Sequence, residues 1–67
     1  MDVTGIVTEF DEARGLGTIE SGGRPYPFHC TQIADGTRDI PVGAPVEFTV
    51  APGPQGRWEA VGIRTSG

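Results

Sequence analysis

His29, Cys30 and two serines are the side chains of this chain that could act as nucleophile or base. A nucleophile needs a base within hydrogen-bond reach and a third group that orients the base. Ser21 lies in a Gly-rich stretch, and Ser66 lies near the end of the chain. His29 and Cys30 are neighbours, so on a strand their side chains point to opposite faces. Because a single His and a single Cys cannot build a tetrahedral metal site either, we expect no catalysis, no metal and no cofactor.

A different chemistry, the stacking of bases and the holding of phosphates, suits the aromatic and basic side chains better. Proteins that bind single strands combine aromatic rings with cations along a groove. Arg14 precedes a short segment whose outer face carries Leu16 and Thr18, and His29 lies on the outer face of the next segment. The candidate nucleic-acid-binding residues are Phe10, Arg14, Leu16, Thr18, His29 and Trp58.

Each of these residues also has an ordinary structural interpretation. Phe10 and Trp58 bury much apolar area if they pack in a core or close the end of a barrel. A strand histidine such as His29 is commonly exposed or bonded to backbone, and a single exposed Leu16 is normal. The net charge of −4, from 5 Lys+Arg against 9 Asp+Glu, opposes nucleic-acid binding unless a local patch reverses it.

The elements that must position these residues are short strands. The chain has 67 residues with 11 Gly and 6 Pro, a mixture that favours strands and tight turns over helices. Between the third and fourth strands we expect a brief helical turn at 32–34 and a tight turn at 34–37. Runs of β-branched and aromatic residues predict strands at Val3–Phe10, Leu16–Glu20, Tyr26–Cys30, Val46–Val50 and Trp58–Ile63.

Alternation along these strands predicts which side chains share a face. Leu16 and Thr18 lie on one face of the second strand, and Ile19 lies on the other. Pro27 has no N–H to donate to a ladder, so its backbone N position is expected to face an edge or solvent. The candidate site therefore lies on the outer face of neighbouring strands.

Five strands in so short a chain predict a barrel, because closing a sheet removes its exposed edges. We expect an all-β fold, a small five-stranded antiparallel barrel of the OB type, with a small SH3-like barrel as the alternative that strand counting leaves open. One domain is expected over 1–67, with 63–67 as a frayed tail. A lone cysteine fits a reducing cytoplasm. The N-terminus carries no signal-peptide pattern and no apolar run is long enough for a membrane span, so we expect a cytoplasmic protein.

Several stretches, in order along nearly the whole chain, resemble the motifs of bacterial cold-shock domains. The family's G-x-V-x-W-F-N/D and K-G-F-G-F-I are similar to Gly5-Ile6-Val7, Phe10-Asp11 and Arg14-Gly15-Leu16-Gly17-Thr18-Ile19. The family's V-F-V-H-F-S-A-I is similar to residues 26–33 at His29 and Ile33, and Val46–Val50 and Glu59–Ile63 resemble its last two strands. The resemblance implies a five-stranded OB barrel that binds single-stranded RNA and DNA without strict sequence preference.

The departures from this pattern fall on the surface that the family uses for binding. The family's basic and aromatic positions are occupied here by Thr8, Glu9, Leu16, Thr18, Pro27 and Cys30. Each base–aromatic stack contributes roughly 1–3 kcal/mol, so the loss of about five stacks lowers affinity more than a thousandfold. We therefore expect weak binding of single-stranded RNA or DNA with low sequence specificity.

A degenerate OB barrel that acts as a protein–protein interaction module is the alternative function, with a protein partner or a homodimer as the complex. Pro27, Leu16, Thr18 and Cys30 would then form a small, uncharged, more apolar face. Oligonucleotide binding that depends on Arg14 favours the first function. Self-association that Leu16→Asp disrupts favours the second.

Overall fold

The chain folds as an antiparallel β-structure with one short 3₁₀ turn. The computed structural model describes residues 2–34, 40–53 and 56–66. The 3₁₀ turn spans Cys30–Gln32, and no helix in this part of the chain is long and apolar enough to cross a membrane. The strands are β1 Asp2–Asp11, β2 Leu16–Ser21, β3 Arg24–His29, β4 Pro45–Pro52 and β5 Trp58–Thr65. All five predicted strands are confirmed, with ends shifted by a few residues.

The strands form one sheet in the order β3-β2-β1-β4-β5, with every neighbouring pair antiparallel. The predicted fold class, an all-β five-stranded antiparallel structure, is confirmed. β3 lies at the edge of this order, which agrees with the edge or solvent position expected for the backbone N of Pro27. β1 lies at the centre of the sheet, so its outer face is flanked by β2 and β3 on one side and β4 on the other.

The sheet is not closed into a complete barrel, which corrects one part of the prediction. No ladder joins β3 to β5 within the described ranges. Pro25 and Pro27 lack the N–H groups that a further strand on β3 would need. The chain after β3 covers the gap instead: Ile33 forms an isolated parallel bridge with Ile63, and the Ala34 N–H donates to the Ile63 carbonyl at 2.7 Å.

The inner face of the sheet carries an apolar core without buried polar side chains among the described residues. The fully buried side chains of largest volume come from four strands. Burial of this apolar area is the main source of stability for so small a chain. The core residues are Val7, Ile19, Phe28, Cys30, Ile33, Ile40, Val46, Phe48, Ala60 and Ile63.

β5 extends into the segment 63–67, which we expected to fray. β5 continues to Thr65, and Ile63 is completely buried. The β4–β5 register shifts between Glu47 and Thr49, which turns Ile63 onto the core face. The Ser66 N–H also donates to the Pro45 carbonyl at 2.9 Å.

The connection after β3 differs in part from its prediction. The helical turn lies at Cys30–Gln32 rather than 32–34. The third strand therefore ends at His29, one residue earlier than predicted. The His29 ring caps this turn by accepting a hydrogen bond from the Thr31 N–H at Nδ1. The tight turn predicted at 34–37 falls largely on residues 35–39, which lie outside the described residues.

Candidate nucleic-acid interface

The outer face of β1, β2 and β3 carries two rows of cross-strand neighbours. The first row runs from Glu9 on β1 through Thr18 on β2 to Pro27 on β3. The second row, nearer the β1–β2 turn, consists of Asp11, Leu16 and His29. Residues opposite one another on adjacent strands lie within side-chain contact range. The sheet thus brings together Leu16, Thr18 and His29, which the sequence had placed on one outer face.

A β-bulge at Thr8 decides which β1 side chains belong to this face. The β1–β2 register shifts between Val7 and Glu9, leaving Thr8 as the extra residue. Regular alternation would place Glu9 beside the buried Val7 and turn Phe10 outward. With the bulge, Glu9 is exposed on the outer face, and Phe10 lies partly buried against the core.

Phe10 stacks on a core ring. Its ring and the Phe28 ring are nearly parallel, at an interplanar angle of 4° and a centroid separation of 6.0 Å. Gly17 is the cross-strand partner of both residues, so no β2 side chain separates the two rings. One side of the Phe10 ring therefore packs against the core, as its structural interpretation predicted. Phe10 also lines a surface groove on this side of the sheet.

The β1–β2 turn is held against β3 by backbone hydrogen bonds. The Gly15 N–H donates to the Asp11 carbonyl, and the Gly15 carbonyl accepts from the Cys30 N–H, both at 2.8 Å. Gly15 adopts φ +67°, and a Cβ there would lie 2.8 Å from the Cys30 Sγ. Only glycine meets both demands at low cost. This closure holds Arg14, whose backbone N–H donates to the Asp11 carboxylate at 3.3 Å, beside the second row.

His29 presents a defined edge of its ring. Its Nδ1 accepts from the Thr31 N–H at 3.2 Å and lies 2.9 Å from the Thr31 hydroxyl. Because Nδ1 accepts the backbone N–H, the neutral ring carries its proton on Nε2. His29 is exposed, so Nε2–H is a donor available to a ligand.

Two grooves run along the outer face and meet at Thr18 and Pro27. The larger has a volume of about 460 Å³ and is bordered by Arg14, Leu16 and the two carboxylates, Glu9 and Asp11. The smaller has a volume of about 350 Å³. Its lining residues are Thr18, Pro25, Pro27 and Arg57. The two are here called together the outer groove, since they share Thr18 and Pro27; Arg14 lines the larger and Arg57 the smaller.

Among the residues that the structure describes, positive and negative side chains line the outer groove in equal number. Arg14 and Arg57 supply two cations, and Glu9 and Asp11 supply two carboxylates. The side chains of these four residues form no ion pair within the described part of the chain, and all four residues are exposed. Both guanidinium groups are therefore available to phosphates, although the local field is far weaker than in a basic groove.

The structure places Trp58 and Cys30 outside the sites expected for them and adds Arg57 to the outer groove. Trp58 is 57% exposed at the start of β5 and lines neither groove, whereas its neighbour Arg57 does. The sequence did not identify Arg57 as a binding residue, because only the folded structure shows that it lies beside the prolines of β3. Cys30 is 8% exposed and belongs to the core, so it cannot form part of an apolar binding face.

Comparison with known proteins supports the fold. No family model matches this chain, and no curated protein matches it in sequence. Among solved structures, it is similar to the cold-shock-domain structure drosophila Unr CSD456, with a TM-score of 0.82 and 28% sequence identity over 100% of this chain. The chain spans 27% of the length of that structure. The fold is therefore cold-shock-like and of the OB type rather than SH3-like.

Proposed function

We propose that this chain binds single-stranded RNA or DNA in the outer groove, weakly and without strict sequence specificity. The observation that carries the proposal is the outer groove on β1–β3, whose two parts are each lined by an exposed arginine without an ion-pair partner among the described residues. The cold-shock-like fold supports it, because OB-type sheets bind oligonucleotides on this kind of surface. The role is one of binding rather than catalysis.

The contacts available explain why binding should be weak. Phe10 offers only the part of its ring that Phe28 leaves uncovered, and His29 is the one fully outward ring on the two rows. Leu16, Thr18 and Pro27 provide flat or small contacts rather than aromatic stacks worth roughly 1–3 kcal/mol each. The carboxylates of Glu9 and Asp11 repel phosphates at short range.

Anisotropy of a labelled, unstructured oligonucleotide tests the proposal at low salt. We expect saturable binding in the micromolar range that weakens with salt, with a shallow slope of about −1.4 in log–log form for two phosphate contacts on a single strand. Arg14→Ala should weaken binding severalfold. The matched control is Arg24→Ala, because Arg24 is exposed on β3 but lines neither groove.

Two outcomes contradict this function. One is the absence of binding at low salt. The other is an equal loss in Arg14→Ala and Arg24→Ala, which would indicate attraction by total charge rather than by the outer groove.

A protein partner is the second candidate, favoured by Leu16, which is 43% exposed in the outer groove beside Pro27. An exposed apolar side chain in a groove suits a peptide or a second copy of the chain. Sedimentation of the purified protein should then show self-association that Leu16→Asp abolishes. A monomeric parent protein would remove the homodimer from consideration.

A further inference from the structure

We infer that the outer groove prefers bases with an exocyclic amino group, and cytosine over uracil in particular, through the carboxylate of Glu9. This inference rests on the proposed function, because it specifies which bases the same groove selects. Glu9 lies in the first row beside Thr18 and lines the larger groove. The bulge at Thr8 places it there, exposed and without an ion-pair partner among the described residues.

Glu9 is the carboxylate best placed for base recognition. The Asp11 carboxylate already accepts the Arg14 backbone N–H at 3.3 Å and belongs to the β1–β2 turn. Glu9 lines the larger groove and belongs to the row whose other members, Thr18 and Pro27, line both grooves. A base that rests on Pro27 and Thr18 therefore has its edge within reach of Glu9.

The chemistry of this edge separates cytosine from uracil. An ionised carboxylate only accepts hydrogen bonds. At position 4 of the ring, the N4 amino group of cytosine donates one, whereas O4 of uracil is an acceptor and repels the carboxylate. The preference for cytosine therefore requires that Glu9 meets position 4 rather than the neighbouring N3–H of uracil, which is also a donor. Both pyrimidines have rings of the same size, so their stacking on the groove differs little.

Among the other side chains that line the outer groove, Asp11 shares the preference for an amino group, whereas the guanidinium donors of the arginines favour the O4 acceptor of uracil. The Thr18 hydroxyl donates or accepts, and Pro27 offers no side-chain polar atom. His29 lines neither groove, and its Nε2–H can donate to the O2 acceptor that both pyrimidines carry. A preference for cytosine therefore reports on the carboxylates rather than on the groove as a whole.

The charge of Glu9 also repels phosphates, but this repulsion acts on every oligonucleotide alike. The ratio of two dissociation constants removes it, so the ratio measures base recognition alone. Glu12 provides the matched control because it is an exposed carboxylate in the adjacent turn that does not line the groove.

The test compares labelled cytidine and uridine homopolymers of about eight nucleotides, within the site size of an OB fold, by anisotropy at low salt and slightly alkaline pH. The parent protein should bind the cytidine oligomer about three- to tenfold more tightly, the value of one hydrogen bond to an amino group. In Glu9→Gln the ratio should fall close to one, because a side-chain amide offers both a donor and an acceptor. Glu12→Gln should raise both affinities and preserve the ratio.

The outcomes separate the inference from the function on which it rests. Equal affinity of the parent protein for both oligomers overturns the preference and leaves nucleic-acid binding intact. A cytidine preference that persists in Glu9→Gln, in a variant whose thermal unfolding matches the parent, assigns the preference elsewhere and overturns the role of Glu9. Failure of both oligomers to bind removes the proposed function itself.

Discussion

Gly17→Ala adds one methyl group where β2 passes beneath an aromatic ring. A Cβ at Gly17 would contact the ring of Phe28, with Cε1 at 2.6 Å, and would lie 2.8 Å from the Glu9 carbonyl oxygen. Such distances are shorter than real Cβ contacts, so the surroundings must move. Phe28 is buried and stacked on Phe10, and the Glu9 carbonyl belongs to the backbone. Neither the Phe28 ring nor the Glu9 carbonyl can move away freely.

The expected loss follows from two opposing effects. Overpacking of a buried site by one carbon costs about 1–3 kcal/mol. Replacing glycine in a strand lowers the conformational entropy of the unfolded chain, which offsets about 0.5–1 kcal/mol of this loss of stability. The free energy of unfolding should therefore fall by about 1–2 kcal/mol. For a domain of this size, the melting temperature falls about 4–8 °C for each kcal/mol.

Thermal and urea unfolding followed by far-UV circular dichroism measure this loss. Gly53→Ala is the matched control, because the three atoms nearest to a Cβ there all belong to the side chain of Glu59, which can swing aside. We expect Gly53→Ala to unfold within a few degrees of the parent and Gly17→Ala to unfold at a clearly lower temperature.

A double variant identifies the ring as the obstacle. Phe28→Leu removes the ring atoms that the new methyl group would meet. The loss caused by Gly17→Ala should then be smaller in the Phe28→Leu background than in the parent, a coupling expected for residues in contact. An identical loss in both backgrounds, or a loss no larger than that of Gly53→Ala, would refute this account of the β1–β3 packing.

Three further predictions concern burial and exposed charge. Ile63→Ala should lower the free energy of unfolding by about 2–5 kcal/mol because Ile63 is fully buried, whereas Ile6→Ala, at a residue 50% exposed, should cost far less. Equal losses in urea unfolding would contradict the burial of Ile63 in the core. The Cys30 thiol, 8% exposed, should react slowly with a thiol reagent under native conditions and rapidly in urea, and fast native reaction would show that the core opens there. Glu47→Gln should change stability by less than about 0.5 kcal/mol, since its 3.5 Å ion pair with Arg64 is roughly half exposed on both sides, and a larger loss in the same assay would show a stronger network.

Much of the fold could be predicted from local patterns. Strand positions follow from β-branched and aromatic runs, and the opposite faces of Leu16 and Ile19 follow from the two-residue period of a strand. The edge position of β3 agrees with the presence of Pro27, which cannot donate to a ladder. These features depend on residues close together in the chain, so the sequence carries them directly.

The candidate site could be predicted only in part. Arg14, Leu16 and Thr18 lie together along the outer groove because they are close in sequence around one strand. Trp58 lines neither groove and Arg57 lines the smaller one, because the path of the segment before β5 depends on packing against β3. No spacing along the chain separates these two neighbours.

The sequence by itself determined the five strands, the faces of β2 and the turn that presents Arg14. The tertiary structure decided that Glu9 faces the groove while Phe10 faces the core, and that Ile63 is buried. Both decisions arise at register shifts, one in β1 against β2 and one in β4 against β5. A bulge reverses every side chain beyond it, and its position depends on how two strands fit against a shared core rather than on either strand alone.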